Sequence, residues 1–224
     1  MKKSIYIAAL FSVLLMPLST VHAQEHRQYV SWGIVGGPNI SSYIMRVDPL
    51  LRDTLIADSV LNSLPATGLS LGLFFDYHIT PQWYLQANGS FSLEQATLRY
   101  NNYHSHMLTL GTDLGLSVFY RHPWRGGHLL VALGPYCHFV FYSAGTEGFN
   151  LYRRQVYTDP ATGKARFAMS DIHAGLALTL GYEFADRWIV QVDSRFGVTD
   201  ILNLDSPGTY VYPFKVTFGV GCRF

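Results

Sequence analysis

Charge is what this sequence most lacks. Of its 224 residues only 14% are Asp, Glu, Lys or Arg, whereas an ordinary soluble domain carries about a quarter. A shortage of that size is hard to reconcile with a water-facing surface over the whole chain. The charges present nearly cancel, at a formal net of +1, so no polybasic footprint points to nucleic acid or to an anionic surface. Long apolar runs are missing as well. Beyond the first two dozen residues nothing approaches the ~20 apolar residues that a membrane-spanning helix requires. What is plentiful is aromatic side chains, at 15%, and glycine, at 20 residues. Aromatic-rich, charge-poor and without helical spans is the composition of a transmembrane β-barrel. A large soluble β-sandwich is the bland competitor.

The opening residues form a targeting segment. Lys2 and Lys3 precede a short apolar core at residues 5–15, Pro17 breaks it, and Val21-His22-Ala23 places small residues at the positions read for cleavage. This predicts a signal peptide over residues 1–23 and an exported barrel domain over 24–224. Gln24 rather than a cysteine begins the mature chain, against a lipoprotein.

Strict alternation over about ten residues, closed by turn residues, marks a strand with one face in lipid. Leu69, Leu71, Leu73, Phe75, Tyr77 and Ile79 alternate with Ser70, Gly72, Phe74, Asp76 and His78, and Thr80-Pro81-Gln82 turns the chain. Trp83, Leu85, Ala87, Gly89, Phe91 and Leu93 then alternate with polar residues ending at Glu94. Comparable outward rows run from Leu108 to Tyr120, Leu129 to Phe141, Ile172 to Phe184, Trp188 to Val198 and Tyr212 to Phe224. With a first strand at residues 29–38, which turns Trp32 and Ile34 outward, the count is about eight. The predicted fold is all-β: a closed antiparallel transmembrane β-barrel with short periplasmic turns and long extracellular loops. Closure is required because an open edge in hydrocarbon leaves backbone groups unpaired at several kcal/mol each.

Short turns follow the second, fourth and sixth strands, and longer polar links are expected at residues 40–66, 95–106, 143–170 and 199–211. That asymmetry puts both termini on the periplasmic side, and Trp83, Trp124 and Trp188 beside the short turns fit an interfacial girdle. Cys137 and Cys222 are the two cysteines. An exported pair can form a disulfide, but this layout separates them around the barrel and in depth, so two unpaired, membrane-shielded thiols are expected.

The chain ends on Phe224, with Cys222, Val220, Phe218 and Val216 at every second position before it. This row resembles the terminal signal read by the outer-membrane barrel-assembly machinery. With the glycine-rich strands and the long first loop, residues 29–224 resemble the outer-membrane β-barrel domain family, the porin-family and PorT-like proteins of Bacteroides-type bacteria. The resemblance implies an outer-membrane address and brings no site residues with it.

The inward parity collects Asp76, His78, Glu94, Asp113, His138, His173, Glu183, Asp193, Arg195, Lys215 and Arg223. An eight-stranded interior is just wide enough for side chains to fill it. These groups are therefore expected to form a paired polar network, since unpaired buried charges are too costly. A narrow polar pathway or a small ligand cavity is the functional alternative. His104 and His106 share a strand face, but no third metal ligand is at hand, so solvated loop histidines are the simpler reading. A lipid A-modifying enzyme would need a Ser–His–acid geometry, and neighbours such as Ser105 and its flanking histidines point to opposite faces. In the first loop, Leu51, Leu55, Asp58 and Leu61 lie near helical spacing after Asp48-Pro49, predicting a short amphipathic helix over residues 49–61. Residues 157–164 read as a further hairpin tip.

The function expected is therefore a non-enzymatic structural or interaction scaffold, or alternatively a narrow transport or secretion-accessory barrel. No cofactor and no nucleic acid are implied. The expected partners are outer-membrane lipids and lipopolysaccharide, the assembly machinery during biogenesis, and a protein held by the extracellular loops.

Overall fold

Side chains that alternate between large apolar and small or polar build extended chain, and the described residues hold ten strands. The structure, a computed structural model, describes residues 30–46, 62–100, 103–145, 155–158, 165–167, 169–185, 187–201 and 210–224. The strands are β1 (Val30–Arg46), β2 (Asn62–His78), β3 (Trp83–Tyr100), β4 (Tyr103–Trp124), β5 (Gly127–Gly145), β6 (Gln155–Thr158), β7 (Ala165–Phe167), β8 (Ile172–Phe184), β9 (Trp188–Gly197) and β10 (Tyr210–Arg223). Eight of them close an antiparallel barrel in the order β1-β10-β9-β8-β5-β4-β3-β2, and β6 with β7 forms a separate hairpin. The hairpin flanks the predicted tip at residues 157–164. The signal segment and the loop helix expected at residues 49–61 lie outside the described residues.

The outward rows emerge as expected. Leu69, Leu71, Leu73, Phe75, Tyr77 and Ile79 are each half or more exposed, while Phe74 and Asp76 between them are buried. In a barrel this is an outer face shaped for hydrocarbon rather than a defect. Cys137 and Cys222 are both free, the first exposed and the second half-buried.

Strand lengths differ from expectation. Residues 40–46 and 62–66 continue β1 and β2, and residues 95–100 pair with 103–108 so that β3 and β4 form one tall hairpin. The links expected at 40–66 and 95–106 are therefore much shorter than their polarity suggested. The reason is that a transmembrane strand needs only about 9–11 residues. Inward residues at this end, such as Ser41, Ser63, Thr97 and Met107, are buried whether polar or apolar, so the alternation weakens without pairing being lost. β8 and β9, of 13 and 10 residues, do not rise so far. Pro213, which has no N–H to donate, marks the end of the β9–β10 ladder, whose last pair is Phe214↔Phe196. Above it the Val211 N–H goes to Asp200 Oδ1 at 2.8 Å. β5 also carries a bulge at Phe141, so Phe141 and Tyr142 are both exposed while Val140 and Ser143 are buried.

Closing so small a barrel requires corners. The β1–β10 register passes from Gly36↔Val220 to Asn39↔Thr217, skipping Gly37-Pro38. The β4–β5 register passes from Gly115↔Tyr136 to Val118↔Leu133, skipping Gly134-Pro135. These two seams lie on opposite sides of the ring, with four strands between them either way. At both, a Cβ on the glycine would fall on a carbonyl oxygen of the facing strand, 2.0 Å from Phe218 O at Gly37 and 2.1 Å from Leu116 O at Gly134. Glycine permits that approach and the following proline gives up one ladder donor, so the wall bends there. Gly134→Ala is expected to cost about 1–3 kcal/mol, read as a lower urea midpoint for the folded barrel. An unchanged midpoint would remove the corner's role.

The links after β2, β4 and β8 sit at one end, called here the turn end. The β4–β5 link is a two-residue turn, Arg125 and Gly126, with φ of 46° and 78°. Trp32, Trp83, Trp124 and Trp188, all four tryptophans of the chain, are exposed around this end. Phe224 completes it. Its ring lies 4.7 Å from Trp32 and its N–H donates to Trp32 O at 2.7 Å, so the last residue is paired into the first barrel strand.

Candidate functional site in the barrel lumen

Inward-facing residues stack in layers from the turn end to the opposite, loop end. The first layer is built round Arg223, which projects from β10 into a wall of Phe74, Tyr84, Phe119, Leu130 and Ile189. Its Nη1 donates to Glu183 Oε1 at 2.5 Å on β8, and its Nη2 to the Tyr84 hydroxyl at 3.2 Å on β3. Its Nε lies 3.0 Å from Asp76 Oδ2 on β2, a close ion contact without hydrogen-bond alignment. Arg121 Nε reaches the other Glu183 oxygen at 2.9 Å, and Gln86 Nε2 donates to Asp76 Oδ1 at 2.8 Å. Two guanidiniums thus face two carboxylates, and the layer is balanced.

Above it the lumen is lined by small side chains such as Gly115, Ser117, Gly134 and Gly219, and then by a second charged layer. Lys215 Nζ crosses from β10 to Glu94 Oε1 at 2.6 Å on β3 and to Asp113 Oδ2 at 2.5 Å on β4. Arg195 lies 2.8 Å from the same Asp113 oxygen and reaches Asp193 at 3.2 and 3.3 Å. His138 Nδ1 meets Asp113 Oδ1 at 2.8 Å, and its ring stacks on His173 at 4.6 Å. Three carboxylates (Glu94, Asp113, Asp193) face two cations (Arg195, Lys215), with the His138 imidazole beside Asp113 and Glu94.

Glu94, Asp113 and His138 present ligand atoms within 4.8 Å of one another, the kind of set that holds a divalent cation. The Lys215 ammonium already occupies that position, 2.5–2.6 Å from both carboxylates. A lysine therefore supplies the charge that a metal would bring. A small cleft of about 10 Å³, room for about one water molecule, opens beside this layer, lined by Ser41, Tyr43, Tyr136, His173 and Lys215 among others. Above it Met107, Val140, Met169, Ile201 and Val211 form a buried apolar cap, in which Met169 and Ile201 come from the links rather than from the barrel wall. The Ser170 N–H donates to Ile201 O and the Ile201 N–H to Val211 O, which fixes the cap to the rim.

Every lumen residue singled out from the sequence lies in these layers or at their edge. Asp76, Glu183 and Arg223 meet at the turn end, with His78 beside them through Ser31 Oγ at 3.2 Å. Glu94, Asp113, His138, His173, Asp193, Arg195 and Lys215 meet at the loop end. Tyr84 and Gln86, which stand on the inward row expected before Glu94, and Arg121 are further members. Continuing the β4 inward row past Ser117 and Phe119 reaches Arg121, so the signal for it was parity. Val216, Phe218, Val220 and Phe224 face outward, Val216 half-buried and the others exposed. His106 is bonded through Nδ1 to Thr97 Oγ1 at 3.0 Å. Ser31 Oγ lies near both His78 and Asp76, at 3.2 and 3.4 Å, but there the carboxylate meets the serine rather than the imidazole. That is not the relay a nucleophilic serine needs, in which the acid orients the histidine.

Fold, lipid-facing belt and filled lumen define the chain as a transmembrane β-barrel. Residues 22–203 match the outer membrane protein beta-barrel domain family, and the chain belongs to that family. No curated protein sequence matches it. Among solved structures it is similar to the outer membrane protein OprG from Pseudomonas aeruginosa, with 15% identity over 87% of this chain and 95% of that one and a TM-score of 0.47. Neisserial surface protein A is similar over 87% and 99%, with 13% identity and a TM-score of 0.42. Ail, the attachment invasion locus protein of Yersinia pestis, is similar over 87% and 98%, with 13% identity and a TM-score of 0.38. The protein is an outer-membrane β-barrel.

Proposed function

We propose that this barrel is a non-enzymatic scaffold. Its plugged lumen stiffens the wall, and its loop end faces outward to hold a partner. One observation carries the reading: the inward faces are spent on two ion-paired layers and an apolar cap, none of which leaves a reactive group beside a substrate-sized space. In this orientation the tryptophan-ringed turn end and both termini are periplasmic. Outer-membrane lipids and lipopolysaccharide contact the apolar belt, and the assembly machinery engages the row ending at Phe224. A protein partner is held by the extracellular links. The competing reading, a narrow transport or secretion-accessory barrel of the PorT-like kind, draws support from the cleft beside Lys215.

Planar-bilayer recording separates the two. The folded protein is expected to give no stable conductance steps at moderate salt, and reproducible unitary steps would replace the scaffold reading with transport. Incubation with labelled lipopolysaccharide tests the remaining class. Unchanged acylation is expected, and any transferred or released acyl chain would make the protein an enzyme.

A further inference from the structure

The last strand carries two cations, and they do something its outward row cannot. From Tyr212 to Phe224 every second residue is apolar, so sliding β10 by two positions against β1 leaves the lipid-facing pattern intact. Apolar alternation fixes which face turns outward, but it is degenerate for even slips. The lumen is not degenerate. Lys215 and Arg223 lie eight positions apart on the inward face, opposite Ser41 and Gly33 of β1. At that register Lys215 spans the lumen to Asp113 on the opposite wall, while Arg223 reaches Asp76 on one flank and Glu183 on the other. Asp76 has Arg223 as its cation and Glu94 has Lys215. A slip of two moves both cations about 7 Å along the strand. Thr217 or Pro213 would then stand where Lys215 was, and buried carboxylates would lose their partners. Removing one member of a buried pair is strongly destabilising, enough to exclude the slipped forms.

We propose that Lys215 and Arg223 set the closing register, so that β10 joins β1 in one alignment and the two charged layers are completed in the same step. Their acidic partners sit on β2, β3, β4 and β8, all formed from chain that precedes β10. Until β10 arrives, the lumen of the growing barrel holds acids still awaiting these cations. Closure and neutralisation are one event.

Cysteine cross-linking reads the register directly. In a full-length chain carrying Cys137→Ala and Cys222→Ala, the pair Ile40→Cys with Val216→Cys reports the native alignment. Ile40→Cys with Phe218→Cys, or with Phe214→Cys, reports a slip of two either way. With Lys215 and Arg223 present, oxidation is expected to link only the native pair. Adding Lys215→Met and Arg223→Met together is expected to raise a slipped pair from background to a yield comparable with the native one. Because that chain leaves buried carboxylates and can fail to fold, a second variant adds Asp76→Asn, Glu94→Gln, Asp113→Asn and Glu183→Gln. It removes the stranded carboxylates and is expected to close in a mixture of registers. A barrel of the second kind that closes in the native register alone, or that closes in none, overturns the proposal.

Discussion

Lys215→Met is expected to destabilise the folded barrel by about 3–5 kcal/mol, the cost of stripping the partner from a buried ion pair. Lys215 is the lysine for both Glu94 and Asp113. Its removal takes the loop-end layer from three carboxylates against two cations to three against one. Arg195 already serves Asp113 and Asp193, so it has nothing further to offer Glu94. Urea unfolding in detergent, followed by tryptophan fluorescence, gives the stability directly. Adding Glu94→Gln to the same chain should recover part of the loss, because it removes the carboxylate left with least compensation. Equal stability of Lys215→Met and the parent would mean that the layer is wet enough to need no lysine.

The second large effect is on the other face. Leu71→Arg puts a charge on the outer wall, at a side chain 66% exposed and flanked by Leu69 and Leu73 in the same row. At the hydrocarbon midplane such a change costs about 2–4 kcal/mol, falling to about 0–1 kcal/mol near the interface. Trp83→Arg, at the turn end, is the matched control. Folded fraction after refolding into lipid vesicles should therefore drop sharply for Leu71→Arg and little for Trp83→Arg. Were the wall facing water, as in a soluble sandwich, both substitutions would be nearly neutral. The contrast between the two positions, more than either value, reports the position of the membrane.

Much of this was legible in the sequence because lipid reads a strand one face at a time. Leu69 through Ile79, Ile172 through Phe184 and Tyr212 through Phe224 each keep one parity apolar, and each became a barrel strand with that parity outward. Strand ends were not legible for the same reason. Ser41, Thr97 and Ser143 are buried on the inward face near the loop end, and their polarity looked like loop although their backbones pair. The Phe141-Tyr142 bulge was hidden because two adjacent aromatics are compatible with alternation broken at either one. Lumen membership followed from parity, but partnership did not. Lys215 and Asp113 are separated by 102 residues in sequence, and only the ring order of the strands brings β4 opposite β10. Met169 and Ile201 entered the cap for a reason no strand pattern records: they stand outside the barrel strands, and Ser170 N–H to Ile201 O and Ile201 N–H to Val211 O hold them there.

The measurement closest to the central claim is electrophoretic mobility of the refolded or membrane-extracted protein in cold detergent, with and without boiling. A barrel sealed through the Trp32–Phe224 and Ser41–Lys215 pairs is expected to stay closed unboiled and to migrate as a compact form that boiling converts to the unfolded mobility. Identical mobility in both lanes, with the protein recovered from the soluble periplasmic fraction, would contradict it.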